Sequence, residues 1–420
     1  GDTLIVRDGV YENADNFITG MPSGTSSNYT VIMAENPLKV RIKNTKTLSY
    51  YDHLIHIENN YIKVDGFISE IIDSKYPPFV ASVSGDYNKV TNSIFKRKGV
   101  ADHYGGWLSL NGNYNLAEDV AGVGSARYGF YTGSSSASVH HNIFRRVIGR
   151  VDYTETTQPK AVFAMYGNNS GTGAQYHLFQ NCIALDSHRG PTSGEQTYGG
   201  FYFPKNADNT HVQGSISLNN EVAYAGFFLK EMGGQNISIT DSTSWNNYNT
   251  SNSVSGIRLT GSKGPITVQR MTIGGHNVGA YNSSSGTKNL SNTLMFFDGT
   301  EQGGDATGWT SESNNTIQAL QSDSPTLPIN YIVKPAENSQ GANITKQYGV
   351  TGTLWGQTGY DQVTEESLWP WSNEDIIKEV FSEANPPPTG AVPSSNNTIR
   401  GFTTAGNDQW GKPKTLTRYI

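Results

Sequence analysis

The chain has 420 residues, 30 basic against 36 acidic side chains, a formal net charge of −6 and one cysteine, Cys182. So mild an acidity offers no basic stripe for nucleic acid, which argues against a phosphate-driven partner. No apolar run is long enough to span a bilayer, and 46 glycines and 23 tyrosines beside only 16% charged residues describe a turn-rich β protein.

The opening Gly1-Asp2-Thr3-Leu4-Ile5-Val6-Arg7 reads as mid-strand, so an upstream segment, an anchor or assembly domain, is expected before it. From Tyr61 one segment keeps returning: Tyr61–Ile68, Tyr87–Ile94, Tyr114–Ala121, His141–Ile148 and Tyr176–Ile183, with weaker copies near Thr210, Ile237, Ile266 and Lys288. Its irregular spacing, roughly 22–35 residues, suits a β-solenoid with variable loops better than a propeller of fixed blades. Outward positions of this strand read Asp65, Thr91, Glu118, Arg145, Gln180, Asp241, Arg270 and Asn292. Glu118–Arg145 and Asp241–Arg270 are therefore expected as ion pairs across the ladder. Asn219-Asn220 and Asn246-Asn247 fall at equivalent turns, where asparagine tolerates a left-handed backbone.

A second recurring strand places a small residue before two larger ones, as in Gly129-Phe130-Tyr131, Ala164-Met165-Tyr166, Gly200-Phe201-Tyr202 and Gly226-Phe227-Phe228. Strand alternation sends Phe130, Met165, Phe201, Phe227, Ile257 and Ala280 inward. The same alternation sends Tyr131, Tyr166, Tyr202, Phe228, Arg258 and Tyr281 outward as a stripe on which sugar rings can stack. Trp107, beside Asp102 and His103, joins this candidate binding surface.

The solenoid is expected over 1–300, followed by an irregular extension over 301–420. Within the extension Ser372 caps an amphipathic helix near 373–382 that ends before Pro386-Pro387-Pro388. That helix is expected to pack on the solenoid or cap its end. Asp298, Glu301 and Asp305 share one glycine-rich loop and offer oxygen ligands for Ca²⁺, although an ordinary polar loop accounts for them as well. Cys182 reads as a small core residue.

The segments Gly1–Tyr11 and Tyr61–Phe67 resemble the first rungs of the pectin-lyase-like right-handed parallel β-helix proteins. The resemblance spans roughly the first three hundred residues. It implies an all-β, right-handed parallel β-helix with a glycan lying across successive rungs. Its members include polysaccharide lyases, glycoside hydrolases, epimerases, tailspikes and non-catalytic adhesins, and no single family's catalytic motif is matched.

Polar residues crowd the loops beside the stripe, and two chemistries fit them. A lyase needs a cation to neutralise a uronate carboxylate, a base for the C5 proton and an acid for the leaving oxygen. Arg127, Arg150 or Arg189 would neutralise, Lys160 or His188 would be the base, and Tyr166 or Tyr202 the acid. A hydrolase needs two carboxyl groups, for which Asp152, Asp186 and Glu195 are available. The richness in Arg, Lys, His and Tyr puts the lyase ahead. The expected protein is a secreted or cell-surface polysaccharide-active β-helix, with a polysaccharide as its partner. The alternative is a non-catalytic glycan-binding adhesin or a structural surface protein within a larger assembly.

Overall fold

The computed structural model describes residues 1–13, 16–44, 48, 52–71, 79–98, 105–134, 138–152, 160–167, 173–185, 187, 198–205, 207–218, 220–230, 235–249, 254–261, 264–276, 278–297, 308–313, 315–319, 376, 379–380, 404–407 and 413–414. Within these, short strands coil into a right-handed parallel β-helix. Each rung carries three flats, as in Ile62–Asp65, Phe67–Ile71 and Ala81–Val83, and each flat pairs in parallel with its equivalent one rung on. The third flats form one nine-stranded sheet, and the first two form a continuous larger one. Parallel pairing continues to Thr316–Ala319, so the solenoid runs about one rung past residue 300.

Alternation along the first flat builds the core. Val64, Val90, Ala117, Phe144, Phe179, Val212, Ile239 and Val268 are in register on successive rungs and are almost wholly buried. Phe130, Phe163, Phe201 and Phe227 make a matching column on the third flat, with ring centroids 5.3, 4.7 and 4.7 Å apart. Stacking identical rings at the rung spacing buries large apolar area on a repeating backbone.

The corner between the first two flats explains where simple alternation fails. Asn92, Asp119, Arg146, Asn181, Asp241, Arg270 and Asn292 all take left-handed backbones there, with φ between 48° and 54°. Asp241, Arg270 and Asn292 therefore sit one residue beyond the outward strand column. That column runs Arg145, Gln180, Gln213, Thr240, Gln269, Ser291. Both ion pairs form nonetheless: Arg145 Nε donates to Glu118 Oε1 at 2.7 Å and Arg270 Nε to Asp241 Oδ1 at 2.6 Å. They are structural rungs of charge. Neighbouring corners carry amide ladders; the Asn220 N–H donates to Asn247 Oδ1 at 3.1 Å, which makes these asparagines turn chemistry, as their spacing suggests.

Trp107 differs from expectation. It is wholly buried inside the solenoid, because Gly122 and Gly149 leave its ring space; a Cβ on either would come within 2.5 Å of the indole. No ring face remains for a ligand. Cys182 lies in the same core, where burial pushes its thiol pKa up. Ile376, Glu379 and Val380 are helical. Asp298, Glu301 and Asp305 lie outside the described residues, among which no group of three or more His, Cys, Asp or Glu is arranged to hold a metal. No helix among the described residues is long and apolar enough to cross a membrane.

Candidate functional site

The outward face of the nine-stranded sheet gathers most of the chemistry. Its central column, fixed by strand pairing, is Tyr131, Ala164, Tyr202, Phe228, Arg258 and Tyr281. Tyr166 stands two residues farther along its strand, opposite Gly133. A shift of two keeps a side chain on the same face, so Tyr166 still points outward and widens the aromatic surface beside the column. Tyr202 and Phe228 are nearly buried, while Tyr131, Tyr166, Arg258 and Tyr281 are partly exposed.

A second column borders this one where the chain enters each third flat. Arg127, Lys160, Tyr198 and Tyr224 stand there on four consecutive rungs; the Lys160 N–H donates to Arg127 O at 2.7 Å and the Tyr198 N–H to Lys160 O at 2.8 Å. Each sits three residues before the inward aromatic of its own rung, Phe130, Phe163, Phe201 or Phe227. Lys160 is almost fully buried, its Nζ donating to Tyr198 Oη at 3.2 Å and lying 4.3 Å from that ring's centroid.

Between the columns the outward side chains become small. On the Ala161–Tyr166 rung the outward side chains Ala161 and Ala164 are single methyls. They pair with Tyr128 and Tyr131 on one side and with Gly199 and Tyr202 on the other. Both alanines pack into one outward cluster with Tyr128, Tyr131, Tyr202, Tyr198 and Tyr224. Lys160 and Tyr198 thus border a notch in the ring columns, two fully buried methyls set among tyrosines.

Among the described residues, several cations lie against rings of this face. Arg127 lies over Tyr128 at 5.5 Å, Lys205 over Tyr166 at 5.4 Å, Lys230 over Tyr198 at 5.7 Å, and Arg258 over Tyr281 at 4.8 Å. A cation set over a ring face is attracted by the ring's quadrupole. Burial raises the Tyr128 pKa, partly opposed by the Arg127 guanidinium that hydrogen-bonds it.

Other candidates separate from this face. Arg150 falls in register with Val123 on the larger sheet, and its Nε donates to Asp152 Oδ1 at 2.8 Å with both side chains buried. The geometry couples them to each other, which removes Arg150 as a carboxylate neutraliser and Asp152 as a hydrolytic carboxyl on the notch. His188, Arg189, Asp186 and Glu195 lie outside the described residues. Tyr198 is the residue that reading the stripe alone misses; the three-residue offset from each inward aromatic would have found it.

No family model matches the chain, and no curated protein matches its sequence. Among solved structures, a PL6 family polysaccharide lyase from Pseudopedobacter saltans is similar with a TM-score of 0.51 and 12% identity, over 83% of this chain and 92% of that one. A pectate lyase, Pel9A, gives a TM-score of 0.44 and 14% identity over 88% and 80%. The chain shares the right-handed parallel β-helix fold. That fold hosts more than one chemistry, so function is argued from the notch.

Proposed function

We propose that the chain binds an acidic polysaccharide along the outward face of the nine-stranded sheet and cleaves it by β-elimination at the notch. The observation that carries this reading is the buried Lys160 Nζ hydrogen-bonded at 3.2 Å to Tyr198 Oη, one rung from Arg127. The fold it shares with a polysaccharide lyase supports the same reading.

In this mechanism Arg127 neutralises the carboxylate of the uronate in the notch, which lowers the cost of charge building at C5. Lys160 takes the C5 proton, the electron pair forms the C4=C5 double bond, and the C4–O4 bond breaks. Tyr198 donates its phenolic proton to the departing oxygen. Lys160 is then an ammonium and Tyr198 a phenolate, and one proton passing along their hydrogen bond restores both. Lys205, Lys230 and Arg258 hold the carboxylates of neighbouring sugars, while Tyr131, Tyr166 and Tyr281 offer ring surface. A polymer this large is met outside the cell, which supports a secreted or cell-surface protein.

The test is incubation with polyuronates and with neutral glycans, following ultraviolet absorbance of the unsaturated product and new reducing ends separately. Absorbance that rises with polyuronate and is abolished in Lys160→Ala and Tyr198→Phe is the expected result. Reducing ends without absorbance would assign hydrolysis instead, and binding with neither signal would assign an adhesin.

A further inference from the structure

The second flat of each rung also has an outward column, and it is apolar: Ile68, Ile94, Ala121, Ile148, Ile183 and Ile216 are in register. None belongs to the solenoid core cluster, yet none is more than 4% exposed. Nearby on the same side, Gln180 and Asn181 are fully buried and neither amide has a hydrogen-bond partner at its nitrogen or its oxygen. Buried amides in folded proteins are normally satisfied. A covered apolar stripe beside unsatisfied amides therefore describes a seat for a segment that brings apolar side chains and polar groups together.

Among the described residues, Val380 is the buried apolar side chain that lies beyond the last rung, and it too is outside the core cluster. Its helix is one-sided: Glu379 is exposed, while Ile376, one turn before Val380, is partly buried. Reach is ample, because the rung of Ile183 lies about 24 Å from the last one at roughly 4.8 Å per rung. The 56 residues between Ala319 and Ile376 span that distance several times over.

We propose that the helix carrying Ile376, Glu379 and Val380 docks on this outward stripe, so that the chain folds back along the flank of the solenoid and does not cap its end. The flank is thereby closed, and the sheet that carries the notch is left as the ligand-bearing side. The inference does not depend on the reaction proposed above.

Full-length protein with Cys182→Ala and Val380→Cys, paired in turn with Ile148→Cys, Ile183→Cys or Ile216→Cys, tests it under mild oxidation. An intrachain disulfide in at least one pair, tenfold above a Tyr281→Cys control on the other sheet, is expected. No disulfide in any pair, equal yield in the control, or a bond only between chains would overturn the proposal; the last would give the seat to a second copy. In the otherwise native chain, Val380→Asp is expected to raise binding of an apolar dye severalfold, and unchanged binding would also overturn it.

Discussion

Arg150 and Asp152 face each other across 2.8 Å with both side chains buried, two residues apart at the end of one strand. Removing one partner of such a pair strands the other charge away from water, at a cost of about 3–5 kcal/mol. Asp152→Ala should therefore lower the urea midpoint strongly. Activity per folded molecule should stay within about twofold of wild type, because the pair lies off the notch. A variant that folds normally and loses all turnover would return Asp152 to the catalytic group.

Trp107 leads to the converse experiment. Its ring fills space opened by Gly122 and Gly149 inside the solenoid. Trp107→Ala should cost about 3–5 kcal/mol through the cavity it leaves. Gly149→Val should also destabilise, by about 1–3 kcal/mol, through overpacking against the indole. Neither should change affinity for a polysaccharide once the protein is folded, as titration at low temperature would show. Loss of binding in a folded Trp107→Ala protein would put the indole back at the ligand face.

Much of the solenoid was legible because inward columns such as Val64–Val90 and Phe201–Phe227 repeat the same side-chain class at the same point of each rung. Two local features defeated the same reading. Ala161–Tyr166 contains a small residue before an aromatic more than once, so the motif can be set two residues late without moving any side chain to the other face. The left-handed corner of Asp241 and Arg270 inserts a residue that alternation does not count. Of the proposed site, Arg127 and Lys160 stood out as charges beside the stripe. Tyr198 did not, because its importance comes from the rung below it, and contacts between rungs are separated in sequence by whole loops.

Acid should weaken the fold through its histidines. Burial lowers the pKa of His276 to about 4 and that of His177 to about 3, against 6.5 when unfolded. The unfolded chain thus binds protons first as pH falls, and stability declines from about pH 6.5 down to the folded values. At about pH 5 each histidine should account for a loss on the order of 2 kcal/mol relative to neutral pH. Urea midpoints at neutral pH and near pH 5 would show it, and His276→Gln should flatten the slope. A stability independent of pH across that range would mean that neither imidazole is as deeply buried as its surroundings indicate.

The cationic face should make binding depend on salt and on the charge of the polymer. Lys230 and Arg258 lie on successive rungs, Lys230 with its Nζ 5.7 Å from the Tyr198 ring centroid and Arg258 4.8 Å from that of Tyr281, and neither is asked to do chemistry. A partly exposed cation meeting a carboxylate contributes up to about 1 kcal/mol, roughly fivefold in affinity, and salt screens it. Lys230→Ala and Arg258→Ala should each raise KM for a polyuronate by about that factor with kcat nearly unchanged. The difference from wild type should shrink as salt is added, and a neutral glycan should show none of it. If instead both variants lose kcat at saturating substrate, these cations act on the reacting sugar, and the scissile bond lies nearer Arg258 than Lys160.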